Sequence, residues 1–278
     1  MRSDEWHAAI AMPAKLARAA VLLTFVSIPA LAATIDAELF DRGSELAYRK
    51  ALAPTAESRR LNPETVTRAR RLANRLVVSA VNMDAEAKRL NWAVNVVSGV
   101  VPDVRIFPGG RIIVTDGLVD RTGLADEELS AIIAYAFAHS LLRHDVSRVV
   151  APAQNASADP NRVTLDYMEA VSTAVRDLQF TPAEIAAADR TSVEMLARAA
   201  YDPRSAANAW RRLKTGGKGL VERSPVTDER LAAMEAAARG FVTLYEETRA
   251  RAEAYARSQR PRAPPRITGQ PQRDPFTR

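Results

Sequence analysis

The stretch DEELSAIIAYAFAHSLLRHDVSRVV, beginning at Asp126, constrains the fold of this chain more than any other. The helical period puts Leu129, Ile132, Ile133, Ala136, Phe137 and Leu141 on one wide face. Ala134, Ala138 and Leu142 make much of the opposite side apolar as well. A helix that is apolar nearly all round has to lie inside the fold. The spacing therefore predicts a buried central helix over 126–149, opened by Asp126 as its capping acid. This helix also carries His139 and His144, two of the chain's three histidines. Five residues along an unbroken helix turn a side chain by roughly 140°, so the two rings are not expected to share one ion. Taken alone, His139 reads more simply as a hydrogen-bonded core residue than as a ligand.

Other helices are expected around it. Asn62-Pro63 is a helix start, with Asn able to cap and Pro favoured in the first turn. From there Val66, Ala69, Leu72, Leu76, Val77 and Ala80 form one apolar stripe reaching to about residue 90. The segment NWAVNVV alternates Trp92, Val94 and Val96, and VRIFPGGRIIVT reads as two short strands joined at Pro108-Gly109-Gly110. Further helices are expected over about 161–178, 182–199, 203–213 and 227–257. The fold class is α+β, mainly helical, with one small sheet.

The two ends read differently. Lys15 and Arg18 precede the apolar run AAVLLTFVSIPALA, and Ala30 and Ala32 supply a small-residue cleavage pattern. Residues 1–32 are thus expected to be a signal peptide, with Met12 a second candidate start, and the protein to be exported to the periplasm. The alternative is an uncleaved inner-membrane anchor. Residues 33–62 are expected to form a short helix and connector. Residues 258–278 hold five Pro and few apolar groups, and are expected to be a disordered tail. Residues 257–278 carry six Arg and one Asp, which accounts for almost all of the formal net charge of +6. With the small excess of the leader, the middle of the chain sums to zero. That excludes a basic nucleic-acid groove on the folded part. The tail is a solvated end or makes weak contact with anionic membrane. The chain has no cysteine, which excludes disulfides, thiol catalysis and Cys-ligated zinc.

Four segments, taken in order, resemble the zinc metallopeptidase family of the CaaX prenyl protease, HtpX and the BepA-type enzymes. They are PGGRIIVTDGLVD (108–120), DEELSAIIAYAFAHSLLRH (126–144), ADRTSVEMLARAAYDP (188–203) and SPVTDERL (224–231). The likeness covers about residues 65–240. It implies a zincin-like (gluzincin) fold over a peptidase-like domain at 63–257, and a zinc site on the central helix. Carried over residue by residue, the first ligand His of the family's His-Glu-x-x-His is replaced by Tyr135 and the general base by Ala136. The second ligand is present as His139. The third, a Glu, falls on Ile185, beside Glu184. Asp189, which in the family supports a ligand His, is retained, and the His of a His-Pro segment is Ser224.

These residues lack the chemistry of such an enzyme. A catalytic zinc needs three protein ligands and a water, and one imidazole does not supply them. A phenol titrates near pH 10, and Ala136 accepts no proton. The expectation is a pseudo-enzyme with no cofactor, in which His139 and Asp189 form a buried pair. The alternative is a metalloendopeptidase with a non-standard site, zinc or another metal held by His139 with Glu184 or Glu194. Ser140 follows His139 directly and points away from it on a helix, and there is no G-x-S-x-G elbow. The resemblance places extended substrates along an edge strand. Gly109, Gly110, Arg111, Ile112, Ile113 and Val114 are therefore expected to bind polypeptide, unless the glycines serve only as a hairpin turn. The expected partner is an extended or unfolded polypeptide of the envelope, or an active peptidase relative.

Overall fold

A computed structural model describes residues 29–54, 58–154, 163–214 and 219–259. The expected leader and tail, apart from their inner ends, lie outside the described residues. Helix α1 (Pro29–Leu52) is longer than expected and packs along α6 (Val163–Arg176). Helix α2 (Pro63–Met83) starts as predicted, with the Asn62 side chain accepting the Glu64 N–H at 3.0 Å. It buries Ala69, Leu72, Leu76 and Ala80, then gives way to a 3-10 turn at Ala85–Arg89.

Three strands follow: β1 (Ala93–Val97), β2 (Val104–Phe107) and β3 (Arg111–Thr115). The turn between β2 and β3 requires its glycines, since Gly109 and Gly110 hold φ of 90° and 85°. The sheet order is β1-β3-β2, with β1 parallel and β2 antiparallel to β3. This corrects the expected edge strand. Hydrogen-bonded neighbours occupy both sides of β3, so it has no free edge for a polypeptide to join. Ile112, Ile113 and Val114 are all buried. Each face of the sheet carries its own apolar cluster, which explains an unbroken apolar run where a one-sided strand would alternate. Val94, Val96, Val104, Ile106, Ile112 and Val114 join the main cluster. Phe107 and Ile113 join a second one with Phe40 and Tyr48 of α1 and Tyr167 and Val171 of α6.

After the short α3 (Asp116–Asp120), α4 (Asp126–Leu141) is the predicted central helix, with every residue from Glu128 to Ser140 buried. It packs on α2, on β2, on α7 (Pro182–Arg198) and on α8 (Ser205–Leu213). Its N-cap is Ala125, not Asp126, which instead takes ion pairs from Arg68 and Arg71. The helix also stops eight residues short of the predicted end. Arg143 adopts a left-handed φ of 56°, and α5 (His144–Gln154) leaves in a new direction. Asp145, buried at that corner, accepts from the Ser140 hydroxyl at 2.7 Å and from the Val146 N–H at 2.8 Å.

The chain closes with α9 (Leu220–Arg223), α10 (Asp228–Gly240) and α11 (Val242–Ser258); the single helix predicted over 227–257 is interrupted at Gly240-Phe241. The mainly helical α+β class with a small sheet and a buried central helix is as expected. Among the described residues no helix is long and apolar enough to cross a membrane.

A left-handed conformation costs an L residue about 1 kcal/mol that glycine avoids. Arg143→Gly is therefore expected to raise unfolding stability by about 0.5 kcal/mol at most, after its larger unfolded-state entropy is counted. Urea denaturation checks this, and a fall in stability would mean the guanidinium holds the corner.

Candidate functional site

Tyr135 and His139, one turn apart on α4, face the same region with their rings edge to face at 4.8 Å. Ala136 is fully buried and serves as packing. The Tyr135 hydroxyl hydrogen-bonds the Ser224 hydroxyl at 2.8 Å, and its ring packs edge to face on Trp210. Burial pushes the phenol up to about 12, although Arg230 and Ser224 act in the opposite direction. Tyr135 thus stays protonated at any working pH. His139 is fully buried and stacks on Phe180 with ring centroids 3.6 Å apart. Its Nδ1 lies 3.1 Å from Nδ1 of His144. The expectation that these two rings point apart assumed an unbroken helix. The turn at Arg143 brings His144 back against His139. Burial, then the neighbouring His144, pulls the His139 pKa down to about 3, so its imidazole is neutral. Its Nε2 is buried with no hydrogen-bond partner.

Asp189 does not pair with His139. It takes a two-pronged ion pair from Arg230, Nε to Oδ2 at 2.7 Å and Nη2 to Oδ1 at 2.8 Å. Both side chains are over 90% buried. Arg230 Nη1 donates to the carbonyls of Ser224 and Pro225, and the guanidinium lies 4.0 Å from the Trp210 ring centre and 5.3 Å from that of Tyr135. The reason is valence: a carboxylate with two acceptor oxygens matches a planar fork of donors better than one imidazole N–H. Ile185, one turn before Asp189, is buried in the main cluster.

The alternative ligands are committed elsewhere. Burial acts to raise the Glu184 pKa, but hydrogen bonds from Arg148 and Thr181 outweigh it and hold the group at about 2. Glu194 pairs with Arg198. Among the described residues, no group of three or more His, Asp and Glu is arranged to hold a metal ion. One orphan imidazole nitrogen, a protonated phenol and an adjacent guanidinium do not fit a catalytic zinc.

Of the residues expected to bind polypeptide, Gly109 and Arg111 line a cleft of about 950 Å³ between α1, α5 and the hairpin turn. Arg111 is paired there with Glu45 and lies over the Tyr48 ring. Near Tyr135 the outer strand is β2, which has no strand neighbour on its far side among the described residues, although Val104 and Ile106 are buried there. Thr115 N–H donates to the Asp103 carbonyl, so the alternation of an antiparallel ladder turns the N–H and C=O of Val104 and Ile106 outward. The Val104 carbonyl accepts from Arg223 Nη2 at 3.2 Å.

Sequence reasoning missed Arg230, Phe180 and Trp210. A signal for the first existed, since an aspartate on an otherwise apolar helix face calls for a cation from another element.

A family model described as "Peptidase family M48" matches residues 66–238, well over half of the chain. The mitochondrial metalloendopeptidase OMA1 of Schizosaccharomyces pombe (strain 972 / ATCC 24843) is 23% identical over 141 residues, 48% of this chain. The match spans 42% of that relative, so the chain covers less than half of its length.

Asp189→Ala strands a buried guanidinium and is expected to cost about 3–5 kcal/mol, most of it recovered in Asp189→Leu with Arg230→Met. Coupling between Asp189→Ala and His139→Ala in a double-mutant cycle is expected to stay within about 0.5 kcal/mol. Burial also pushes Asp145 up to about 6 from an unfolded value near 3.8. A raised carboxyl pKa gives stability present below about pH 4 and lost as pH rises through 6, of order 3 kcal/mol. Asp145→Asn is expected to flatten urea midpoints measured from pH 4 to 7.

Proposed function

The chain belongs to peptidase family M48, and we propose that within it this protein is a pseudo-peptidase that binds or scaffolds polypeptide without cutting it. The observation that carries this reading is the Asp189–Arg230 pair packed against Tyr135. The pair commits the Asp189 carboxylate to a guanidinium, and His139 is left without the two further protein ligands a catalytic zinc needs. With Ala136 on the helix, no side chain there takes a proton from water, a function typically worth about 10²–10⁴ in rate. In this reading an extended or unfolded polypeptide, or an active relative, lies along the outer edge of β2, meeting the backbone groups of Ile106 and displacing Arg223 from Val104. The leader-like residues 1–32 support export to the periplasm and a place in the bacterial cell envelope, in protein quality control.

One observation favours a second reading, a metalloendopeptidase with a non-standard site. His139 Nε2 is buried and unpartnered, a state that costs about 1–3 kcal/mol unless something binds it.

Metal analysis and proteolysis separate the two. Protein purified without chelator and then offered zinc is expected to retain less than about a tenth of an equivalent, since three ligands are lacking. No chelator-sensitive cleavage of an unfolded protein such as casein is expected. A tightly held equivalent, with cleavage that disappears in His139→Ala, would establish the second reading instead.

A further inference from the structure

Arg105 sits in the middle of β2, between the buried Val104 and Ile106 and on the opposite face of the strand. Its guanidinium lies 5.5 Å from the Phe107 ring centre. Among the described residues it has neither a hydrogen bond nor an ion pair, and the side chain is only partly exposed. Two further arginines stand close by, each already satisfied. Arg223 pairs with Asp103 and with the Val104 carbonyl, and Arg176 pairs with Asp177 at 3.1 Å. Burial, reinforced by the charges of Arg223 and Arg176, lowers the Arg105 pKa, while Asp103 and Asp177 oppose the shift. An arginine in that position lacks an anion.

Beside it is a void of about 50 Å³, where Arg105, Arg176, Gln179, Arg223 and Ser224 share the lining with Tyr135 and six apolar side chains. That is room for a small polar group. A carboxylate has that size and the planar acceptor pair that a guanidinium fork recognises. The notch adjoins Tyr135 and opens beside the outward edge of β2. A segment lying extended on that edge brings a side chain to the same side at every second residue.

We infer that the notch beside Arg105 is a carboxylate-binding subsite, which reads an acidic side chain or a chain-terminal carboxylate of a polypeptide on β2. The inference rests on the polypeptide-binding reading above and names the chemistry that site selects. Arg105 is the reader, and Arg176 and Arg223 line the same notch, each held by its own aspartate.

The test uses the full chain and labelled, extended Val/Thr-rich peptides in fluorescence anisotropy. One carries a central Glu with an amidated end, one a central Gln with an amidated end, and one a central Gln with a free carboxylate. At least one charged probe is expected to bind about tenfold more tightly than the neutral one, the effect of a charge-assisted hydrogen bond. Arg105→Gln is expected to erase that advantage and leave the neutral probe unchanged. The charged probe that gains identifies the source of the carboxylate. Equal binding of all three, or an advantage that survives in Arg105→Gln, overturns the inference. If no peptide binds, acetate titration followed through the arginine Nε–H resonances decides. A shifted signal missing from Arg105→Gln upholds the subsite and removes the polypeptide reading, and no shift removes both.

Discussion

Arg230 joins more of this protein than any other side chain near α4. Its donors reach α7 through Asp189 and the segment before α10 through two carbonyls, and its flat face covers Trp210 of α8 and approaches Tyr135 of α4. A buried ion pair is a poor source of net stability, because dehydrating both charges offsets most of their attraction. Its strength here is directional. Four elements and a connecting loop must hold their mutual positions for those donors and both rings to be satisfied together. Tyr135 is then fixed from two sides, by the cation over its ring and by Ser224 at its hydroxyl.

On the proposed reading, the same arrangement keeps a peptidase-family fold without the family's chemistry. Tyr135 and Ser224 face each other as hydroxyls and satisfy each other. Ile185 joins the apolar cluster, and Ala136 leaves a smooth helix face. Of those positions only His139 keeps a ligand-type side chain, and burial holds its ring neutral where it stacks on Phe180. The polar groups of the region find partners within the chain, His139 Nε2 excepted.

Much of the fold was legible because it depends on local rules. The Asn62-Pro63 start, the Pro-Gly-Gly hairpin and the apolar girth of α4 each follow from a few adjacent residues. The helix ends were harder. Nothing in Leu-Leu-Arg-His announces a left-handed arginine, because the break is imposed by packing α5 against α6 and by the buried Ser140–Asp145 bond. Strand order was also hidden: a run of Ile-Ile-Val fits a covered edge or a centre equally well until β1 is seen on its far side. In the site, the residue types at 135, 136, 139 and 185 could be read directly. The partner of Asp189 could not, since it comes from 41 residues away along the chain.

β3 supplies alternate side chains to two separate apolar clusters, Ile112 and Val114 to the larger and Ile113 to the smaller. The two therefore meet back to back across one layer of backbone. The smaller cluster is roofed by α1, α5 and α6, none of which contributes to the Arg230 linkage. Such a roof can lift as a cooperative unit at a fraction of the global unfolding free energy. Solvent would then reach Phe107 and Ile113 while the opposite face of the same strand stays dry, dividing the molecule into a rigid keel and a separable deck.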